Sequence, residues 1–254
     1  MTRTVFISGA TAGIGRACAE RFAKEKCNVI ITGRRKDRLE ALAEELSNNY
    51  QVDVLTLCFD VQDKKAVFDA IESMPEAWRQ ISILINNAGL ALGKEPFDEA
   101  DMDDWETMLN TNVNGLLYVS RALLPFLKAA GNAQIINMGS IAGKEVYENG
   151  NVYCASKFAV DALNKSMRID LMKHGIKVSA IHPGAVETEF SLVRFKGDKN
   201  KADAAYQNFV PLTAEDIADT VYYCASLPPH VCINDLVITC LQQAGTYYFN
   251  KNSH

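Results

Sequence analysis

Ser8-Gly9-Ala10-Thr11-Ala12-Gly13-Ile14-Gly15 stands between a short apolar run at 4–8 and a helical pattern that begins near residue 14. A strand that ends in glycines and runs at once into a helix is the opening unit of a parallel α/β sheet. Glycine at 9, 13 and 15 lets the backbone turn tightly, approach a ligand closely, and seat the new helix against the strand. The helix start then offers unpaired N–H groups and the positive end of its dipole, which suits a pyrophosphate. The spacing is G-x-x-x-G-x-G, and the strand before it and helix after it give it weight.

The same rhythm repeats outward from this turn. Apolar runs at 28–32, 52–59, 81–85, 134–138, 177–181 and 236–239 alternate with helical patterns at about 14–25, 36–48, 63–73, 103–129, 152–173 and 213–226. The runs are apolar throughout rather than alternating, as expected for strands covered on both faces. With no internal repeat and no Gly/Ser/Pro-rich linker, residues 1–254 read as one doubly wound α/β domain, a Rossmann-type parallel sheet of about seven strands. One segment breaks the rhythm. Between His182-Pro-Gly and Leu212-Thr-Ala, aromatics (Phe190, Phe195, Tyr206, Phe209) mix with charges (Arg194, Lys196, Lys199, Lys201) and no strand pattern occurs. A loop that long is expected to be a substrate lid, near 188–212.

The second strand ends in Thr32-Gly33-Arg34-Arg35. An enzyme that binds NAD places an acidic residue here for the ribose 2′-hydroxyl. Two guanidinium groups suit a phosphate instead, so NADP(H) is expected over NAD(H).

The chain has 254 residues, 48% apolar and 22% charged, with 26 Lys+Arg against 31 Asp+Glu for a net charge of −5. That composition buries a core and excludes intrinsic disorder. No Lys/Arg run offers a footprint for nucleic acid or an anionic membrane. No stretch approaches the ~18 apolar residues of a membrane-spanning helix. The apolar run after Met1 is too short for a signal peptide. Cysteines at 18, 27, 58, 154, 224, 232 and 240 show no C-x-x-C and lie partly in apolar runs, so reduced buried thiols and a cytoplasmic location are expected. The four histidines, at 174, 182, 230 and 254, have no metal-binding spacing, so no metal is expected and His182 reads as a core residue at a strand end.

Tyr153-Cys154-Ala155-Ser156-Lys157 puts Tyr and Lys at i and i+4, on one face of the helix that begins near Asn151. A nearby ammonium should favour the phenolate and lower the tyrosine pKa toward the working range. Such a tyrosine exchanges a proton with an alcohol or carbonyl oxygen. Ser140, just past the strand that ends at Met138, can donate a hydrogen bond to the same oxygen.

Gly9-xxx-Gly13-x-Gly15, Asp60-Val61, Asn86-Asn87-Ala88-Gly89, Asn112, Ser140, Tyr153-xxx-Lys157 and Pro183-Gly184 together resemble the short-chain dehydrogenase/reductase family over essentially the whole chain. The resemblance implies a catalytic set of Asn112, Ser140, Tyr153 and Lys157. Tyr153 would be the general acid/base, Ser140 would polarise the carbonyl, Lys157 would bind the nicotinamide ribose and tune Tyr153, and Asn112 would hold a water in the proton relay. The NADP-binding set would be Gly9, Thr11, Gly13, Ile14, Gly15, Arg34, Arg35, Asp60, Val61, Asn87, Ala88, Gly89, Tyr153, Lys157, Pro183, Gly184, Val186 and Thr188. Within it, Asp60 and Val61 would meet adenine, Asn87 the ribose region and Thr188 the carboxamide. Ser8 stands where a threonine is usual and keeps its hydroxyl.

Thr32-Gly-Arg-Arg, Asn87-Ala-Gly-Leu-Ala-Leu-Gly93, Asp104-Trp-Glu-Thr-Met108 and Val193-Arg-Phe-Lys-Gly-Asp198 are similar to the NADP-dependent 3-hydroxy acid dehydrogenases within that family. Pro183-Gly-Ala-Val-Glu-Thr-Glu189 is one residue shorter than the double-glycine form of bacterial members. This subgroup implies a homotetramer that takes small 3-hydroxy acids or semialdehydes: L-serine, L-allo-threonine, and 3-hydroxypropionate with malonic semialdehyde. The alternatives are an NADPH-dependent ketoreductase for a bulkier ketone or acyl thioester, and a silent NADP-binding scaffold, which the intact tetrad disfavours. A 3-hydroxy acid needs a cation for its carboxylate. Arg194 in the lid is the candidate, with Phe195 beside it to exclude water, and Lys196 is second.

Overall fold

The computed structural model describes residues 2–251. The seven parallel strands are β1 (Thr4–Ile7), β2 (Asn28–Gly33), β3 (Val54–Cys58), β4 (Ile83–Asn86), β5 (Gln134–Met138), β6 (Lys177–Pro183) and β7 (Asp235–Ile238). Their order across the sheet is β3-β2-β1-β4-β5-β6-β7. The apolar runs are continuous because alternate residues serve opposite faces. Val5, Ile7, Ile83 and Ile85 face one core, with Phe22 and Leu39. Phe6, Leu84 and Ile135 face the other, with Val67, Leu123 and Leu127.

The first face is covered by α1 (Gly13–Lys24), α2 (Lys36–Tyr50) and α9 (Ala214–Ser226). The second is covered by α3 (Lys64–Glu72), α5 (Leu116–Ala129) and α6 (Asn151–Leu171). Strand order reverses between β1 and β4, which opens a crevice at the carboxyl ends of the strands, where α/β proteins bind ligands.

Two expectations change. The helical pattern at 103–129 is not one α-helix: α4 (Met102–Leu109) and α5 are joined by a π-helical turn at Asn110–Gly115. Packing makes the turn: a Cβ at Gly115 would lie 2.8 Å from Val61 Cγ2, and the Asn112 side chain is drawn onto the backbone of Leu90. The segment after β6 is not an irregular loop either. It folds into two short helices, α7 (Glu189–Arg194) and α8 (Lys199–Ala204), capped by Thr188 and Asp198. Six-residue helices carry too few apolar positions for periodicity to show. Among the described residues no helix is long and apolar enough to cross a membrane.

Candidate active site

The glycine turn has the conformation its residues allow. Gly9 and Gly13 sit at φ +69° and +53°, where other residues are strained. A Cβ at Gly9 would lie 2.8 Å from Ala88 Cα, and one at Gly15 would overlap the Gly9 carbonyl. The Ser8 hydroxyl accepts from the N–H groups of Asn87 and Ala88 at 3.1 Å each. The Asn87 amide donates to the carbonyls of Ser8 and Gly9 at 3.1 and 2.9 Å. The loop after β4 therefore clamps the loop after β1. Ala12 caps α1 without a side-chain hydrogen bond and the first turn holds no acidic residue, so its N–H groups remain available at the crevice. A cradle closed to side chains, with free donors at its end, fits a pyrophosphate.

The crevice is a cavity of about 570 Å³. Of the proposed NADP contacts, all but Gly15 line it, and Gly15 stands behind the turn. Arg34 and Arg35 line it at the end of β2. Arg34 Nη1 is 3.3 Å from Asp60 Oδ2, while Arg35 Nη2 donates to Thr11 Oγ1 at 2.8 Å and Nη1 to Glu189 Oε2 at 3.1 Å. Asp60 and Glu189 engage the two guanidinium groups at the cavity edge, where a phosphate would take over these donors.

At the far end Ser140, Tyr153 and Lys157 line the cavity. Tyr153 and Lys157 are buried together on α6. Lys157 Nζ donates to the Met138 carbonyl at 2.9 Å and lies 6.0 Å from the Tyr153 ring centroid. Gly89 leaves room above them, since a Cβ there would stand 3.2 Å from Asn112 Oδ1 and 3.5 Å from Lys157 Nζ. The Asn112 amide takes the Leu90 N–H and returns a bond to the Leu90 carbonyl, both at 2.8 Å, and donates to Ser156 Oγ at 3.0 Å. Both side-chain N–H groups are engaged, so a relay water would have to find another atom of Asn112. Asn112 alone of the four does not line the cavity.

The expected lowering of the Tyr153 pKa is corrected. Burial pushes it above the usual phenol value and Tyr147 adds to this, while Ser140 and Arg194 pull back. Burial also lowers Lys157, to about 8. The site's desolvation outweighs the attraction that helical spacing alone suggests. Tyr153 thus holds its proton near neutral pH and is ready to donate it.

Arg194 reaches this end from α7. Nε donates to the Gly93 carbonyl at 3.2 Å and Nη1 to Tyr147 Oη at 2.8 Å, and the guanidinium carbon lies 5.6 Å from the Tyr153 ring centroid. Phe190, from the same helix, lies 5.7 Å from Tyr153, and Phe195 also lines the cavity. Lys196 is turned away onto Asp104 at 2.7 Å and does not line the cavity. Tyr147, Lys94 and Glu189 were missed: each is an isolated polar residue in a loop or at a helix end, without a pattern to mark it.

His182 is buried behind Ser140, with Nδ1 3.2 Å from the Ser140 carbonyl and Nε2 3.0 Å from Asp235 Oδ1. Asp161 and Asp235 share the Lys144 ammonium, at 2.8 and 2.5 Å, so an amine already bridges the two carboxylates.

A parallel sheet with a glycine cradle at its reversal point, and a buried Tyr-Lys pair with a half-buried serine beside it, defines a nucleotide-dependent oxidoreductase. The chain belongs to the short chain dehydrogenase family, whose profile matches residues 3–198. It is 46% identical over 249 residues to sulfoacetaldehyde reductase 2 of Chromohalobacter salexigens, covering 98% of each chain. It is 44% identical over 251 residues to the NADP-dependent 3-hydroxy acid dehydrogenase YdfG of Escherichia coli K12, again covering 98% of each. Among solved structures, the closed form of serine dehydrogenase complexed with NADP+ matches with a TM-score of 0.90 and 44% identity, over 99% of each chain.

Proposed function

We propose that this chain transfers a hydride between NADP(H) and the C3 hydroxyl or carbonyl of small 3-hydroxy acids and their semialdehydes. The observation that carries this reading is Arg194: a cation in the cavity wall, without a carboxylate within 4.0 Å among the described residues, beside the buried Tyr153. The serine dehydrogenase and 3-hydroxy acid dehydrogenase relatives support the substrate class and the cofactor.

NADPH, when bound, supplies the hydride. The first turn of α1 would hold its pyrophosphate, Arg34 and Arg35 its 2′-phosphate, and Lys157 its nicotinamide ribose. Asp60, Val61 and Thr188 complete the contacts. Ser140 Oγ accepts from the Ala142 N–H at 3.1 Å, which leaves its O–H proton for the substrate carbonyl. Tyr153 passes its proton to the same oxygen as negative charge develops there. A water held at Asn112 and in reach of Lys157 would return the proton to Tyr153 from solvent. Phe190 and Phe195 exclude water above the reacting carbon, and Arg194 fixes the acid group.

A second reading, with a sulfonate in place of the carboxylate, rests on the same guanidinium, since its fork fits either acid, and on the sulfoacetaldehyde reductase relatives. The homotetramer is part of the proposal: Phe158, Ile169 and Met172 are exposed along α6 and the turn that follows, where a second copy would cover them. Light scattering tests that assembly, and a cytoplasmic location fits the seven unpaired cysteines. The decisive experiment follows NADPH absorbance with malonic semialdehyde, sulfoacetaldehyde and propanal. Preference for an acid over propanal supports the reading, and equal rates overturn it.

A further inference from the structure

The acid end of the cavity holds two cations. The Gly93 N–H donates to the Arg194 carbonyl at 2.9 Å, and Arg194 Nε returns a bond to the Gly93 carbonyl at 3.2 Å. Lys94 is the next residue, so this clasp starts its side chain beside the guanidinium. Both residues line the cavity. Lys196 and Lys201 nearby are neutralised by Asp104 and Asp198, at 2.7 and 3.6 Å. Among the described residues no carboxylate lies within 4.0 Å of Lys94 Nζ or of the Arg194 guanidinium, while the Lys94 backbone N–H donates to Glu95 Oε2 at 2.8 Å.

The charges that face Lys94 are Arg194 and Lys251, which repel it, and Glu148, which attracts it. Burial and the repulsion from Arg194 both disfavour its charge, so its pKa falls below the usual lysine value. Lys94 is exposed and Arg194 half-buried, and two like charges at one cavity are relieved by an anion between them. A carboxylate or sulfonate carries one negative charge and balances Arg194 alone. The guanidinium keeps donors for it, because Gly93 and Tyr147 engage only two of its five N–H groups. Lys94 is the surplus. Both side chains start from clasped backbone and line one cavity, so a single acid group there can meet both charges.

We propose that Lys94 selects substrates whose acid end is a tetrahedral dianion, a phosphonate or phosphate monoester, held between Lys94 and Arg194 while the carbonyl meets Ser140 and Tyr153. This rests on the assignment of Arg194 to the acid group. In the reduction the carbonyl carbon gains the hydride and its oxygen gains the Tyr153 proton. NADPH becomes NADP+, and the bonds of the acid group are untouched.

Phosphonoacetaldehyde and sulfoacetaldehyde have the same length and a tetrahedral acid group each, and differ by one charge at about pH 8, where a phosphonate is largely dianionic. The experiment compares their kcat/KM in the wild type, Lys94→Met and Lys94→Arg, with propanal as the neutral control. The wild type is expected to favour the phosphonate about tenfold or more. In Lys94→Met that ratio falls about tenfold, and in Lys94→Arg it is largely kept. A ratio unchanged in Lys94→Met, or a wild type that does not favour the phosphonate, overturns the role of Lys94 even when both acids outrun propanal. If propanal matches both acids in the wild type, the assignment of Arg194 fails, and this inference fails with it.

Discussion

Glu189 Oε2, in the first turn of the lid helix, lies 3.1 Å from Arg35 Nη1, one of the two guanidinium groups assigned to the cofactor phosphate. Glu189 also holds Arg38, at 2.9 Å. A carboxylate from the lid thus occupies the arginine that a 2′-phosphate requires. The pair is half-exposed, which limits its contribution to about 1 kcal/mol. Glu189→Gln is expected to tighten NADPH binding by up to about fivefold and to leave NADH unchanged. Fluorescence titration measures both, and equal changes for the two cofactors would show that Glu189 acts on lid structure rather than on the phosphate.

Replacing Arg34 and Arg35 together by uncharged residues removes two charge-assisted contacts. Each contributes about 1.5–3 kcal/mol to a phosphate, so the KM for NADPH should rise at least tenfold to a hundredfold. The KM for NADH should hardly move. Parallel losses with both cofactors would refute the phosphate assignment.

Tyr153→Phe keeps the buried ring beside Phe190 and deletes the proton donor. Turnover should drop by about 10²–10⁴-fold, with NADPH binding preserved. A variant that keeps a tenth of wild-type kcat would rule out the general-acid role.

Lys157 is held below its ordinary pKa of 10.5, at about 8, by burial. Between these values the unfolded chain binds more protons at this site than the native one, so its contribution to stability rises with pH through that window. At pH 7 the buried charge costs about 3 kcal/mol, offset in part by the bond to Met138 worth about 1. Lys157→Met should therefore lose activity and cofactor affinity yet gain about 2 kcal/mol of stability at neutral pH. Urea denaturation should show that gain shrinking toward pH 10. A variant less stable than wild type at pH 7 contradicts the burial penalty, and preserved NADPH binding removes the ribose role.

Arg194→Met tests the acid site. For malonic semialdehyde or L-serine, kcat/KM should fall by the equivalent of about 2–4 kcal/mol, as for loss of a partner to a partly buried charge. Propanal should be reduced nearly as before. Equal losses across charged and neutral substrates would mean that the arginine only shapes the lid.

Much of the site was legible because its residues act locally. Tyr153 and Lys157 share a helix face by spacing alone, Gly9 to Gly15 form a turn that only glycine permits, and Arg34 and Arg35 follow directly from the end of β2. The lid helices and the π turn were not legible. The first are too short to show periodicity, and the second is imposed by contacts with Val61 and Leu90 from elsewhere in the chain.

The residue pattern by itself determined the alternation of strands and helices, the glycine cradle with Arg34 and Arg35 beside it, and the grouping of Ser140, Tyr153 and Lys157 proposed for the chemistry. Each depends on neighbours within a turn or two, where backbone geometry is set by residue type. Tertiary structure alone decided which cations reach the acid end. It paired Lys196 with Asp104, brought Arg194 to Gly93 from 101 residues away, and left Lys94 Nζ with no carboxylate within 4.0 Å among the described residues. It also reversed the sign of the Tyr153 shift. Ion pairing and desolvation depend on everything that surrounds a group, and that envelope exists only once the lid, the sheet ends and α6 have come together.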